Sequence, residues 1–195
     1  MPKYPPLATR DAVLAYVRDQ LAAAVRDAGH GWHWPALATG NDARVVVLRD
    51  ADPARATVTW FTDRRSAKVA ALAADPRCGL LFYHADHRTQ LRIAAEAREV
   101  TDPGARADYW ARVRGASRAN YATRAAPGTP QPGATTDLPA DGTEDGRADA
   151  PQAAEQFAVY RATILGCDFV QLLDVGAYRS QWRPRAADSF TFVTP

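Results

Sequence analysis

The stretch Trp60–Lys68, WFTDRRSAK, changes character at its middle and places a strand directly before a helix. Its first residues are aromatic or β-branched and favour a strand. Two arginines, a serine and a lysine then stand close together at the expected helix start. Because a helix N-terminus offers free N–H groups and a partial positive charge, this cluster fits either an anion site or a solvated turn.

The residues before this stretch predict one helix followed by strands. From Thr9 to about Ala28, apolar side chains recur at three- and four-residue steps, which predicts an amphipathic helix with Thr9 as N-cap and Gly29 as its stop. The runs PALAT, ARVVVLRD and ATVTWFT are β-rich and are separated by the turn signals GND and ADPA. They predict a meander of antiparallel strands.

The residues after the opening stretch predict an alternation of short helices and strands. Ser66–Ala74 predicts a short helix, and CGLLFYHA with TQLRIAAEAREV predicts a hairpin whose second strand buries one face. The segment TDPGARADYWARV predicts a helix with Thr101 or Asp102 as its cap.

The last third of the chain contains a polar segment and then further strands. Residues 125–154 are rich in proline and acidic residues, with Leu138 as the only large apolar side chain, which predicts a flexible insert. Strand signals resume in QFAVYRATIL, DFVQLLDV, YRSQWR and SFTFV. Numerous short strands with few helices predict a single domain over residues 1–195, mainly β with α (α+β), in which a closed or nearly closed antiparallel barrel carries peripheral helices.

Composition limits the function classes. The chain has 195 residues, 24 basic and 22 acidic, and this balance does not indicate a nucleic-acid partner. No apolar run approaches the about 20 residues that span a bilayer, and no signal-peptide core is present, so we expect a cytoplasmic protein without a membrane partner. Cys78 and Cys167 stand among apolar neighbours, which favours small core residues over a disulfide.

Two His-x-x-His pairs are the remaining candidates for metal binding. His30 with His33 and His84 with His87 have the spacing of a ligand pair, but no third ligand is evident. We therefore expect no metal site. No Gly-x-Ser-x-Gly elbow and no glycine-rich nucleotide loop occurs, so hydrolase and nucleotide-loop chemistry find no support.

Four segments in order resemble the motifs of the pyridoxamine 5′-phosphate oxidase family, the FMN-binding split barrels. They are RVVVLR (44–49), WFTDRRSAK (60–68), GLLFYHADHRTQLRI (79–93) and DYWARVRGAS (108–117). The tryptophan-containing N-terminal part and SRANYATRAAPGTP (117–130) resemble the Alr-type branch of that family. The resemblance implies an antiparallel split β-barrel with peripheral helices, and a homodimer with FMN at each subunit interface.

The resemblance also implies which residues bind the cofactor and the substrate. On the cofactor it places Arg44, Val45, Val46, Val47, Leu48, Arg49, Phe61, Thr62, Ser66, Lys68 and Gln90, with Lys68 at the phosphate. On the substrate it places Arg49, Tyr109, Ser117 and Arg179. It assigns no catalytic side chain.

The chain departs from the family pattern at several of these sites. Ala67 replaces a basic residue that usually precedes the phosphate-binding lysine, a gap that Arg64 or Arg65 would have to fill. Val113 replaces a substrate-helix arginine, and Ala177, Arg179 and Gln181 replace an arginine–histidine pair and a further arginine.

The resemblance and these departures together predict an FMN-binding flavoprotein, an FMN-dependent oxidoreductase that acts on an unidentified small molecule. The alternatives are a non-catalytic FMN carrier, or the same fold with haem or a deazaflavin as ligand.

Overall fold

The computed structural model describes residues 5–113, 116–136, 151–186 and 188–195. Local signals fix the main helix boundaries: the Thr9 side chain accepts the Ala12 N–H before the first helix, and the Asp102 carboxylate accepts the Ala105 N–H, at 2.7 Å, before the third. The helices are α1 Arg10–Arg26, α2 Ala67–Ala74, α3 Pro103–Arg112, α4 Ala116–Ala119 and α5 Pro151–Gln156.

The strands form one antiparallel sheet. They are β1 Ala36–Thr39, β2 Asp42–Val45, β3 Leu48–Asp52, β4 Thr57–Asp63, β5 Arg77–His84, β6 Thr89–Glu99, β7 Phe157–Leu172, β8 Ala177–Trp182 and β9 Thr191–Val193. The order is β2-β1-β5-β6-β7-β4-β3, with β8 beside β7 and β9 beside β8. The predicted α+β class with an antiparallel sheet is confirmed.

The prediction of one strand over ARVVVLRD is wrong. The run is divided between β2 and β3, which pair with β1 and β4 at opposite ends of the strand order. Between them, the Val46 N–H donates to the Pro35 carbonyl at 2.9 Å and the Leu48 N–H donates to the His33 carbonyl at 2.9 Å. The backbone partners therefore change inside the apolar run, although its composition does not.

Of two further predictions about the C-terminal part of the chain, one is wrong and the other lies partly outside the described residues. QFAVYRATIL and DFVQLLDV were predicted as separate strands, but they form the single 16-residue strand β7. Gly166 lies inside this strand without interrupting it. Residues 137–150 of the predicted insert 125–154 lie outside the described residues, and residues 125–136 contain neither helix nor strand.

The chain divides into two compact units. The first comprises Met1–Trp60, Pro76–Ala97 and Arg161–Pro195. Its core contains the inward face of α1 (Val13, Val17, Leu21 and Ala24) and the alternate residues of β6 that the sequence predicts to be buried (Leu91, Ile93, Ala95 and Ala97).

The second unit comprises Phe61–Asp75 and Arg98–Tyr160. Its core is aromatic, with Tyr109, Val113, Phe157 and Val159 buried and Phe61 packed against them. In the part of the chain that the structure describes, neither unit has a helix with the length and apolarity required to cross a membrane.

Candidate functional site

The turn between β4 and α2 brings two hydroxyls and an ammonium group together. Lys68 Nζ lies 3.0 Å from Thr62 Oγ1 and 3.2 Å from Ser66 Oγ. The two hydroxyl oxygens lie 3.1 Å apart, and both residues are buried. Thr62, Ser66 and Lys68 are called the hydroxyl–lysine cluster below. All three are residues that the sequence predicts to bind the cofactor.

The cluster stands at the N-terminus of α2. Ser66 is the N-cap, but its side chain makes no capping hydrogen bond, and it faces Thr62 and Lys68 instead. The first turn of α2 contains no acidic residue. The positive end of the helix dipole and the Lys68 charge therefore act together at this turn, as an anion site requires.

The two arginines of the opening stretch make ion pairs. Arg65 binds both carboxylate oxygens of Asp63, at 3.1 and 2.7 Å, and also donates to the Thr123 carbonyl at 3.1 Å. Arg64 donates to Glu99 at 2.5 Å. The side chains proposed to fill the gap at Ala67 are thus engaged with carboxylates, whereas Lys68 contacts hydroxyls.

An aromatic group lies beside the strand end in the same unit. The Phe61 ring centroid is 5.5 Å from that of Tyr109 and 5.0 Å from that of Phe157, both in edge contact. Tyr109, a predicted substrate residue, is 7% exposed, and the Arg112 guanidinium lies 5.0 Å from its ring centroid. Ser117, also predicted to bind substrate, is exposed on α4.

The predicted cofactor residues of the first unit have mixed environments. Arg44 is bound within its own hairpin, where it pairs with Asp42 and donates to Thr39 Oγ1 at 2.6 Å. The following residues are exposed at Val45 and Arg49, half-buried at Val47, and buried at Val46 and Leu48. Gln90 is half-buried on β6, opposite Tyr83 of β5.

Arg179, the last predicted substrate residue, belongs to a polar cluster around Asp168. Arg179 donates to both carboxylate oxygens of Asp168, at 3.1 and 2.8 Å. Gln181 and Arg92 also donate to Asp168, at 2.7 and 2.5 Å. Burial acts to raise the pKa of Asp168, but the hydrogen bonds from Arg179, Gln181 and Arg92 outweigh it and hold the pKa below its ordinary value. These four residues form the Asp168 cluster.

Sequence reasoning missed Asp168. The signal that identifies it is a cross-strand one, because Asp168 faces Gln181, and Val170 faces Arg179, in the β7–β8 register. The signal becomes visible only after the two strands have been paired, because it depends on which residues of β7 and β8 lie opposite each other.

All four histidines of the chain also lie in one region of the first unit. The ring centroids of His30 and His84 are 4.9 Å apart, and His84 stacks on His87 at 3.7 Å. The Trp32 N–H donates to His30 Nδ1 at 3.1 Å, and His30 Nε2 is 3.1 Å from Gln20 Oε1, which fixes His30 as the neutral Nε2–H tautomer. The described residues contain no group of three or more histidine, cysteine or acidic side chains placed to hold a metal ion.

These motifs and this sheet have counterparts in known proteins. Residues 37–143 match the family model for pyridoxamine 5′-phosphate oxidase. The chain belongs to the pyridoxamine 5′-phosphate oxidase family. The predicted family assignment is confirmed. The hydroxyl–lysine cluster lies within the matched residues.

Curated members of the family share part of the sequence. The chain is similar to a pyridoxine/pyridoxamine 5′-phosphate oxidase of Anaeromyxobacter dehalogenans (strain 2CP-C), with 33% identity over 125 residues, which are 62% of each protein. A pyridoxine/pyridoxamine 5′-phosphate oxidase of Caulobacter vibrioides (strain NA1000 / CB15N) is 40% identical over 73 residues, 37% of this chain and 32% of that protein. The matches thus cover less than two thirds of these relatives.

Solved structures share the fold over nearly the whole chain. A pyridoxamine 5′-phosphate oxidase-related, FMN-binding protein from Nostoc punctiforme PCC 73102 has a TM-score of 0.69 at 18% identity, covering 98% of this chain and 100% of that one. PhzG from Burkholderia lata 383, in complex with tetrahydrophenazine-1-carboxylic acid, has a TM-score of 0.68 at 19% identity, covering 94% and 92%. The predicted α+β split-barrel fold is confirmed.

Proposed function

We propose that this protein binds FMN, with the FMN phosphate at the hydroxyl–lysine cluster, and that it is an FMN-dependent oxidoreductase acting on a small molecule. The observation that carries this proposal is the contact of Lys68 Nζ with the hydroxyls of Thr62 and Ser66 at the N-terminus of α2. Membership in the family and the fold shared with an FMN-binding protein support the choice of cofactor.

The residues of the cluster fit a phosphate dianion. A phosphate needs several donors at short range, and an ammonium, two hydroxyls and the first N–H groups of a helix supply them. The absence of an acidic residue from the first turn of α2 leaves nothing in that turn to repel the anion. The two carboxylates beside the turn, Asp63 and Glu99, are each paired with an arginine, which offsets their charge.

Each part of the proposed site has a separate role. Bound FMN would supply the redox chemistry, because a flavin can accept a hydride and pass the electrons to an acceptor. Lys68 neutralises phosphate charge, and Thr62 and Ser66 donate to phosphate oxygens. The other predicted cofactor residues, Arg44–Arg49, Phe61 and Gln90, stay predictions, and no side chain is assigned to proton transfer.

We also propose a homodimer, as the family resemblance implies. In the first unit, Val45, Leu81, Tyr83 and Trp34 are 61%, 40%, 50% and 53% exposed. The strand register aligns Val45, Ala36 and Leu81 across β2, β1 and β5, so the apolar side chains share one sheet face. A contiguous exposed apolar face of this kind fits an interface between subunits. Sedimentation should give a dimer mass, and Leu81→Arg should give monomers.

One structural observation favours a second candidate function, a non-catalytic FMN carrier. Two of the predicted substrate side chains are engaged by the protein itself, since Tyr109 is packed in the aromatic core and Arg179 is held by Asp168. The replacements at Val113, Ala177 and Gln181 point the same way. Turnover of a substrate distinguishes the enzyme from the carrier.

The test begins with the absorbance spectrum of the purified protein and a titration with FMN. Flavin bands and stoichiometric binding are expected, and a protein that binds haem or a deazaflavin but not FMN would refute the proposal. The FMN-loaded protein is then assayed for hydrogen peroxide release with pyridoxine 5′-phosphate, pyridoxamine 5′-phosphate and reduced phenazine carboxylic acids. Full FMN occupancy without turnover of any of these would favour the carrier.

A further inference from the structure

The first unit contains an apolar cavity of about 310 Å³ between α1 and the C-terminal strands. Its walls include the buried side chains of Val17, Leu21, Leu91, Ile93 and Cys167. This volume lies at the lower end of the range for small-molecule sites, which are typically about 300–1,000 Å³ and mainly apolar. A medium-chain acyl group or a small ring system fits it.

The cavity is separate from the proposed FMN contacts. On β6, Leu91 and Ile93 face the cavity, whereas the predicted cofactor residue Gln90 lies between buried neighbours and points to the opposite face of the strand. None of the predicted cofactor residues borders the cavity. A ligand bound here would therefore not replace FMN.

Among the described residues that border the cavity, the charged side chains are all cationic. Arg10 and Arg18 extend from α1, and Arg183 follows β8. No acidic side chain is among its described lining residues. The carboxylates paired with Arg10 and Arg18 are their sequence neighbours Asp11 and Asp19, which are 93% and 65% exposed. Such solvent-exposed pairs are weak, so a carboxylate ligand can compete for these guanidinium groups.

We propose that this cavity is a second binding site, which takes an amphipathic organic anion with its apolar body against Leu21, Leu91 and Ile93 and its carboxylate at one of the bordering arginines. Apolar burial provides affinity, and the arginines provide selectivity for the anion over a neutral molecule of the same shape. Binding of an anion in this cavity does not depend on the proposed flavin reaction.

The experiment compares decanoate with decanol on the FMN-loaded full chain by isothermal titration calorimetry. Decanoate should bind at least about tenfold more tightly than decanol, because charge-assisted hydrogen bonds to arginine are worth this factor or more. The double variant Arg10→Gln/Arg18→Gln should lose most of this preference. Arg26→Gln, which removes an exposed arginine of α1 that does not border the cavity, should keep it.

Filling the cavity tests the location. Leu14→Trp, from the α1 wall, and Ala186→Trp, from the exposed loop, should each weaken decanoate binding about tenfold or more, while Leu165→Trp at an exposed position of β7 should not. The loop variant tests the site even if the helix variant fails to fold. The proposal is overturned if decanoate does not bind, if decanol binds equally well, or if the folded blocking variants retain full affinity. The FMN titration runs in parallel and reports on the proposed function separately.

Discussion

Lys68 Nζ lies 3.0 Å from Thr62 Oγ1, so the first turn of α2 and the last residues of β4 meet through a cation and a buried hydroxyl. A lysine here, where its charge adds to the positive end of the helix dipole, has no evident advantage for the helix. The proposed FMN phosphate would account for a cation at this position.

Lys68→Met should weaken FMN binding. The variant removes one charge-assisted contact to the phosphate and keeps most of the apolar stem, so we expect a loss of about 1.5–3 kcal/mol. Quenching of flavin fluorescence during titration measures the affinity. Arg26→Met is the control for lost positive charge and should bind FMN like the wild type. Equal affinity in both variants would place the phosphate elsewhere.

Asp63→Asn should destabilise the protein without removing a predicted ligand of FMN. The Asp63 side chain is 7% exposed and accepts from the Arg65 backbone and guanidinium. Loss of these charged hydrogen bonds should lower the free energy of unfolding by about 1.5–3 kcal/mol. Urea denaturation measures it, with Asp19→Asn, whose side chain is 65% exposed in the middle of α1, as a control expected within about 0.5 kcal/mol of wild type. Matching stabilities for the two variants would contradict a structural role for the Arg65–Asp63 pair.

Asp168 and Arg179 should be energetically coupled. A double-mutant cycle with Asp168→Asn and Arg179→Gln should give a measurable coupling in the free energy of unfolding, because two parallel hydrogen bonds join the side chains. The exposed pair Asp52 and Arg55, with nitrogen and oxygen 3.6 Å apart, is the comparison and should show a smaller coupling. A coupling of zero for the first pair would mean that Arg179 is available to a substrate without cost.

Stability should fall as the pH is lowered from about 7 towards 5. Burial, and then the nearby His84, lower the pKa of His30 below its usual 6.5, although Asp27 opposes them. Between the folded and unfolded pKa values the unfolded chain binds more protons, so the contribution of neutral His30 is complete above about 6.5 and is lost as the pH falls through this window.

His30→Asn isolates this effect. An asparagine can accept the Trp32 N–H in an Asx turn but does not titrate, so the variant should show a smaller decrease in unfolding free energy over the same pH range. Urea denaturation at several pH values measures both slopes. Equal slopes would assign the pH dependence to other groups.

Short sequence patterns predicted the starts of the helices. They did not predict features that depend on hydrogen bonds between separate segments of the backbone. The helix start at Ser66 and the cap at Asp102 follow from a few neighbouring residues, and both lie within one position of the structure. The division of RVVVLR into two strands depends on hydrogen bonds to His33 and Pro35, which no local composition encodes. Periodicity cannot distinguish a buried strand from an apolar run that changes partners.

The charged residues of Trp60–Lys68 show the same limit of prediction from local sequence. Sequence identified four polar or charged side chains around a helix start, but only pairing with Asp63 and Glu99 separates the two arginines from Lys68. Glu99 is 35 positions away from Arg64. The sequence could therefore indicate an anion site, while the residues that hold the turn became apparent only from the fold.

The convergence of all four histidines has a practical consequence for spectroscopy. Every imidazole proton of the molecule belongs to the region where the end of α1 meets the β5–β6 turn, so the imidazole portion of a proton NMR spectrum reports on that single region. The protein thus contains its own local probe, and changes in these few resonances can be followed without a label as ligands are added.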